Sequence, residues 1–145
     1  MKKFLLLFMA FAVLSGCSPD DDSADSFLRV FVPVISAEFP DTFIAGQEYA
    51  IKVRYSPPTR CHRFDGMDYE INENEFFIGV ANSFSPNDPS CNEEEGLTAE
   101  TSFRFTPETN DFYIFNFWRG QDEEGEPLFL TIQVPVEPVA SEHES

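Results

Sequence analysis

The sequence predicts an all-β fold, an antiparallel β-sandwich of about seven strands. Three observations carry this expectation. Phe is used heavily, 17 times in 145 residues, and aromatic and β-branched side chains suit a pleated, half-buried surface. Apolar and polar positions alternate in several short runs, the period of a strand with one dry and one wet face. Turn-forming residues, 11 Pro and 7 Gly among them, separate those runs.

The first segment is not part of that fold. Lys2 and Lys3 precede Phe4 to Val13, an unbroken apolar run of ten residues. A bilayer-spanning helix needs about 20 residues, whereas the hydrophobic region of a secretion signal is shorter. Leu14-Ser15-Gly16-Cys17 follows, and it resembles the lipobox of bacterial lipoproteins. The resemblance implies a signal peptide over residues 1–16 and lipidation of Cys17. Two or more acyl chains hold a protein stably at a bilayer, so the expected membrane partner is engaged through Cys17 without a spanning segment. Residues 17–26 are polar and acidic and read as a tether. The Asp20-Asp21-Asp22 cluster resembles the export signal of Bacteroidota surface lipoproteins, and it also suits a plain solvated spacer. Ser18 does not resemble an inner-membrane retention signal. The expected location is therefore the outer membrane, on its periplasmic face or at the cell surface.

The β domain is expected over residues 27–136. Leu28, Val30, Val32 and Val34 alternate along a first strand, with Pro33 at an edge or bulge because it lacks an N–H. Phe39 to Gly46 is a turn-rich link with room for a short strand. Tyr49, Ile51, Val53 and Tyr55 face one way along the next strand, and Ala50, Lys52 and Arg54 the other. Met67–Ile71 and Phe76–Asn82 form strands joined at Asn72-Glu73-Asn74. Residues 83–96 are a long polar loop. Leu97–Phe105, Phe112–Trp118 and Leu128–Val136 complete the set, and residues 137–145 form a disordered acidic tail.

Phe103-x-Phe105-x-Pro107, then Phe112-Tyr113-x-Phe115-x-Phe117 and a hairpin, resembles the last third of immunoglobulin-like and fibronectin-like domains. The resemblance implies that Tyr113 hydrogen-bonds back across the corner before its strand. Two features depart from antibody-type domains: no cysteine lies on the Tyr113 strand, and Trp118 does. As a whole the chain resembles the small lipoproteins of Bacteroidota, in which Pro58 to Gly66 is the segment expected to be shared. That resemblance lends a fold and a location but no chemistry.

With Cys17 lipidated, Cys61 and Cys91 remain. An even thiol count in an oxidising compartment favours a disulfide, and the pair lacks the CxxC spacing of a metal or redox site. Cys61 is bracketed by Arg60, His62 and Arg63, while Cys91 precedes Glu93-Glu94-Glu95. Bridging them lays basic beside acidic. Two readings follow: local neutralisation that pins a long loop, or an anion- or partner-binding lip built from Arg60, His62, Arg63 and Phe64.

All 26 acidic residues follow Cys17, but two of the nine basic ones precede it, so the mature formal charge is −19. Such a surface repels phosphate backbones and disfavours nucleic-acid binding. No catalytic constellation stands out. A nucleophilic triad needs a histidine beside a nucleophile, and only His62 and His143 exist. Cys61, His62 and Met67 lack the spacing and second histidine of a copper site. Asp65-Gly66-Met67-Asp68 and Asp122 to Glu126 offer oxygens but no EF-hand spacing. No metal or other cofactor is expected.

The expectation is a monomeric, non-enzymatic binding or accessory module at the envelope, with a protein or glycan partner. The alternative is a small envelope hydrolase or inhibitor using acidic residues that the sequence does not single out. The strand around Trp118 is apolar on both faces, through Phe112, Ile114 and Trp118 opposite Tyr113, Phe115 and Phe117, and Phe76-Phe77-Ile78 is similar. A face left uncovered by the second sheet would mark a contact surface, unless tether, tail or first strand covers it.

Overall fold

The computed structural model describes residues 26–108 and 111–140. The lipobox, the tether up to residue 25 and residues 141–145 of the tail lie outside the described residues. Nine strands form two sheets among the described residues. They are β1 (Leu28–Val32), β2 (Val34–Glu38), β3 (Phe43–Ile44), β4 (Tyr49–Tyr55), β5 (Arg63–Asn72), β6 (Glu75–Phe84), β7 (Ala99–Phe105), β8 (Phe112–Gln121) and β9 (Pro127–Glu137).

The expected first strand is two strands. Pro33 has no N–H to place in a ladder, and the chain changes sheets there. β1 pairs with β6 in the larger sheet, and β2 pairs with β4 in the smaller one. Val32 and Val34, on either side, are both buried. The Pro33 carbonyl is used, accepting the Ser56 N–H at 2.9 Å.

The smaller sheet runs β2-β4-β7, antiparallel throughout. The alternation read along β4 is realised: Ile51, Val53 and Tyr55 are buried, while Ala50, Lys52 and Arg54 are exposed. The larger sheet corrects the all-antiparallel expectation. β6 lies parallel to β8, and β3 lies parallel to β9. Side-chain alternation carries no information on strand direction, so the sequence did not disclose these pairings. A parallel pair needs a long crossover. Here the long 85–98 loop and β7, in the opposite sheet, supply it between β6 and β8. The β5–β6 turn fixes the register. Glu73 adopts φ 57°, the Asn74 side-chain amide donates to the Phe112 carbonyl at 2.9 Å, and the Ile114 N–H donates to the Asn74 carbonyl at 3.0 Å. Glu75 therefore sits opposite Ile114. β5 covers one edge of β6, while β8 and β1 share the other.

The core between the sheets is aromatic. Phe43, Phe115 and Phe117 are fully buried. Phe115 meets the rings of Phe39 at 4.6 Å, Phe76 at 5.2 Å and Phe105 at 5.2 Å between centroids. Removing such a ring costs about 3–5 kcal/mol, in lost transfer energy and a residual cavity. The corner bond also forms: the Glu108 N–H donates to the Tyr113 hydroxyl at 3.0 Å. That closes the link between β7 and β8 and orients β8 with Tyr113, Phe115 and Phe117 inward. Ile114, Asn116 and Trp118 consequently face away from the smaller sheet.

Candidate functional site

The segment around the two cysteines is tightly knit. Cys61 and Cys91 form a disulfide with Cα atoms 5.4 Å apart, which agrees with an oxidising, extracytoplasmic setting. Thr59 bridges Glu93, and the Glu94 N–H donates to the Pro58 carbonyl at 3.0 Å. Arg60 clasps Glu94 with two bonds of 2.6 Å, from Nε to Oε2 and from Nη2 to Oε1. This pairing holds the Glu94 carboxyl below its ordinary range. The basic and acidic flanks thus meet, as bridging the cysteines implies.

The four lip residues do not converge. Arg60 turns to Glu94, and Arg63 Nη1 donates to the Arg60 carbonyl at 3.1 Å. His62 goes inward: its Nδ1 is 2.8 Å from the Thr59 hydroxyl, and its ring stacks on Phe84 at 4.4 Å. Burial pushes its imidazole pKa down, favouring the neutral ring. Phe64 stands apart, half-exposed, beside Tyr55.

The carboxylate groups noted in the sequence are likewise engaged. Asp68 receives two bonds from Arg29, of 2.6 and 2.7 Å, and Asp65 lies 3.4 Å from the same guanidinium. Asp122 Oδ1 accepts the N–H groups of Glu124 and Glu126 within the β8–β9 turn. Asp88 lies near both disulfide sulfurs. Its Oδ1 accepts from the Ser90 N–H and hydroxyl, which lowers the carboxyl's pKa. With both sulfurs in the disulfide, no thiolate remains there to hold a metal.

The outer face of the larger sheet is different. Strand pairing lays two rows across it. Glu70, Phe77, Asn116 and Thr131 are successive cross-strand neighbours, and so are Asp68 and Gly79, and Trp118 and Phe129. From β1, Phe31 leans over Gly79 and approaches Trp118 to 6.1 Å between ring centroids, tilted by 50°. Phe77 and Phe129 meet edge to face at 5.6 Å. Together they line a shallow cleft of about 320 Å³, with Asp68 and Glu70 on one wall. Phe31 is 46% and Phe129 38% exposed, so these rings present apolar surface to solvent that the smaller sheet does not cover. The first strand contributes Phe31 to this face rather than shielding it.

The strand behind Phe77 is pinned through its cross-strand neighbour Asn116. Asn116 is 5% exposed; its amide donates to Glu75 Oε1 at 2.8 Å, and its carbonyl oxygen accepts from the Thr131 hydroxyl at 2.6 Å. Arg29, two residues from Phe31 on the same face of β1, fixes the Asp68 wall. The two-faced apolarity of β8, and of Phe76-Phe77-Ile78 on β6, is the sequence signal for this surface. The contributions of Phe31, Gly79 and Phe77 depend on how β1 and β6 sit beside β8, which alternation alone does not give.

No protein-family model, curated protein or solved structure matches the chain.

Proposed function

We propose that the protein is a non-enzymatic, lipid-anchored envelope module that binds a glycan chain in the cleft formed by Phe31, Phe77, Trp118 and Phe129. The observation that carries this reading is the pairing of exposed aromatic rings with carboxylates in one shallow, solvent-open cleft. A sugar ring has an apolar C–H face that packs on an aromatic ring, and a hydroxyl rim that donates to carboxylate oxygens. Aromatic side chains serve such half-wet contacts well, and a contiguous exposed apolar patch of this kind marks an interaction surface.

The anchor is Cys17, and the proposed location is the outer membrane, on its periplasmic face or at the cell surface. The lipobox pattern and the disulfide support that setting. The proposed domain is a variant of the immunoglobulin-like sandwich, a likeness supported by its two sheets and the Tyr113 corner bond; its parallel β6–β8 ladder is the departure. A recognition role also accords with His62, the one histidine among the described residues, being held by Thr59 and Phe84.

Affinity electrophoresis of the full-length protein in gels containing soluble polysaccharides tests the proposal. Retarded migration that Trp118→Ala abolishes supports it. Unretarded migration in neutral, acidic and amino-sugar polysaccharides, with capture by cationic peptides instead, contradicts it.

A further inference from the structure

We propose that the free edge of β7 pairs with β7 of a second copy, joining two smaller sheets into one six-stranded sheet across a two-fold axis at Ser102. An unpaired strand edge is a template for another strand, and proteins ordinarily blunt it with bulges, prolines, lysines or short length. Among the described residues the other edges are short, shifted or interrupted by proline. β1 has 5 residues and stops before Pro33, β2 carries a register shift between Val34 and Ser36, β5 one between Phe64 and Met67, β3 has 2 residues, and β9 beyond it holds Pro127 and Pro135. β7 has none of these devices. It pairs with β4 over seven consecutive residues without a shift, contains neither Pro nor Lys, and is the last strand of its sheet.

The sequence of β7 is self-complementary in one register. A two-fold axis perpendicular to the sheet keeps each side chain on its own face, so a residue must lie opposite its own copy at the centre. Centring on Ser102 places Glu100 opposite the second copy's Arg104, twice. On the inner face it places Ala99 opposite Phe105 and Thr101 opposite Phe103. Shifting the centre to Thr101 or Phe103 loses both charge pairs. On the outer face the charges then alternate across the seam: Arg54 already holds Glu100 at 2.9 Å, and Glu48 already holds Arg104 at 2.6 Å. Opposite charges directly across a strand pair stabilise it, and like charges destabilise it.

The inner side of this edge is also unfinished. Between β7 and β5 the two sheets leave a groove of about 490 Å³ lined by Phe64, Tyr69, Ile71, Phe103 and Phe105 among others. Tyr69 is 69% and Ile71 52% exposed. Pairing two β7 strands brings the two grooves together and covers these walls, adding apolar area to a strand ladder that alone falls short of the roughly 800 Å² per partner of a stable interface. The seam itself is on β7 of the smaller sheet and the aromatic cleft opens on the outer face of the larger one, while Tyr69 and Ile78 border both groove and cleft. The dimer replaces the monomer expected from sequence.

Sedimentation equilibrium of the full-length protein in density-matched detergent provides the test. The wild type is expected to dimerise at micromolar concentration. Glu100→Arg and Arg104→Glu each place like charges opposite one another twice and should weaken the dimer roughly tenfold or more. The double variant restores opposite charges across the seam, though Arg54 and Glu48 then meet like charges within each chain, and should dimerise more tightly than either single variant, with circular dichroism verifying that all three variants are folded. A monomeric wild type, single variants that dimerise as the wild type does, or a double variant that dimerises no more tightly than the single ones would each overturn the proposal.

Discussion

The ring of Phe31 lies so close over Gly79 that a β-carbon at residue 79 would stand 2.7 Å from its Cε1. Close approach, not backbone conformation, is what requires glycine here, and it couples β1 to the floor of the aromatic cleft. Gly79→Val should push Phe31 aside and expose Trp118, its neighbour at 6.1 Å. The expected result is a red shift in the emission of this single tryptophan with the far-UV spectrum retained. Unchanged emission would show that Phe31 does not rest there in solution.

The Cys61–Cys91 bond closes a separation of 30 residues. By the chain-entropy argument a loop of that size contributes about 3–4 kcal/mol, a large share of a small domain's stability. Replacing both cysteines by alanine should lower stability by that amount in urea titrations, and reductant should do the same to the wild type. Equal unfolding midpoints with and without reductant would contradict the bond's structural role.

His62 sets the expected response to mild acid. Its pKa is lowered in the fold by burial, from an ordinary value of 6.5. Between the folded and unfolded values the unfolded chain binds more protons, so stability rises with pH across that window. The contribution is complete above 6.5 and is lost as the pH falls from there through the lower folded-state value. His62→Phe, which keeps a ring against Phe84, should flatten the melting temperature between pH 7 and 5. A variant as acid-sensitive there as the wild type would assign the effect to other groups. The carboxyls of Asp68 and Glu94, both held low by arginine partners, act at lower pH. Their stabilisation is present above the ordinary carboxyl range and is lost as the pH falls through their depressed values.

Asn82 is 1% exposed, and neither its amide nitrogen nor its oxygen finds a hydrogen-bond partner among the described residues. Its cross-strand neighbours are Val30 and Phe64. A buried polar group without a partner costs about 1–3 kcal/mol. Asn82→Leu, which keeps the branched side-chain skeleton without its polar atoms, should therefore raise the melting temperature. A marked decrease would indicate that the amide is satisfied in solution.

Much of this molecule is legible in side-chain alternation. The β4 and β8 faces, the β5–β6 turn and the paired cysteines follow from residue types at short range. Tyr113 is legible for another reason: the resemblance to immunoglobulin-like domains implies its corner bond, which forms to the Glu108 N–H. What alternation omits is long-range order. Nothing in Leu28 to Val34 distinguishes one edge strand from two strands in different sheets, because Val32 and Val34 are buried either way. The parallel β6–β8 pair depends on Asn74 docking against Phe112 and Ile114, a contact between residues far apart in the chain. The charge clusters mislead in a similar way. Arg60, His62, Arg63 and Phe64 are adjacent in sequence, but one goes to Glu94, one into the core, one to a carbonyl and one to the groove. The outer-face cleft draws on Phe31, Phe77, Trp118 and Phe129 from four different strands, and apolar runs make only its β8 and β6 components, around Trp118 and Phe77, legible in the sequence.

The central claim is that the aromatic cleft takes a glycan. Trp118 lies in it and is the sole tryptophan in the chain, so its fluorescence reports occupancy without labelling. Titrating the full-length protein in detergent with oligosaccharides from the polysaccharide that retards it in gels should give a saturable change in Trp118 emission. Phe129→Ala should weaken that binding at least several-fold while leaving the melting temperature nearly unchanged. Flat titrations, or saturation that Phe129→Ala leaves intact, would contradict the account.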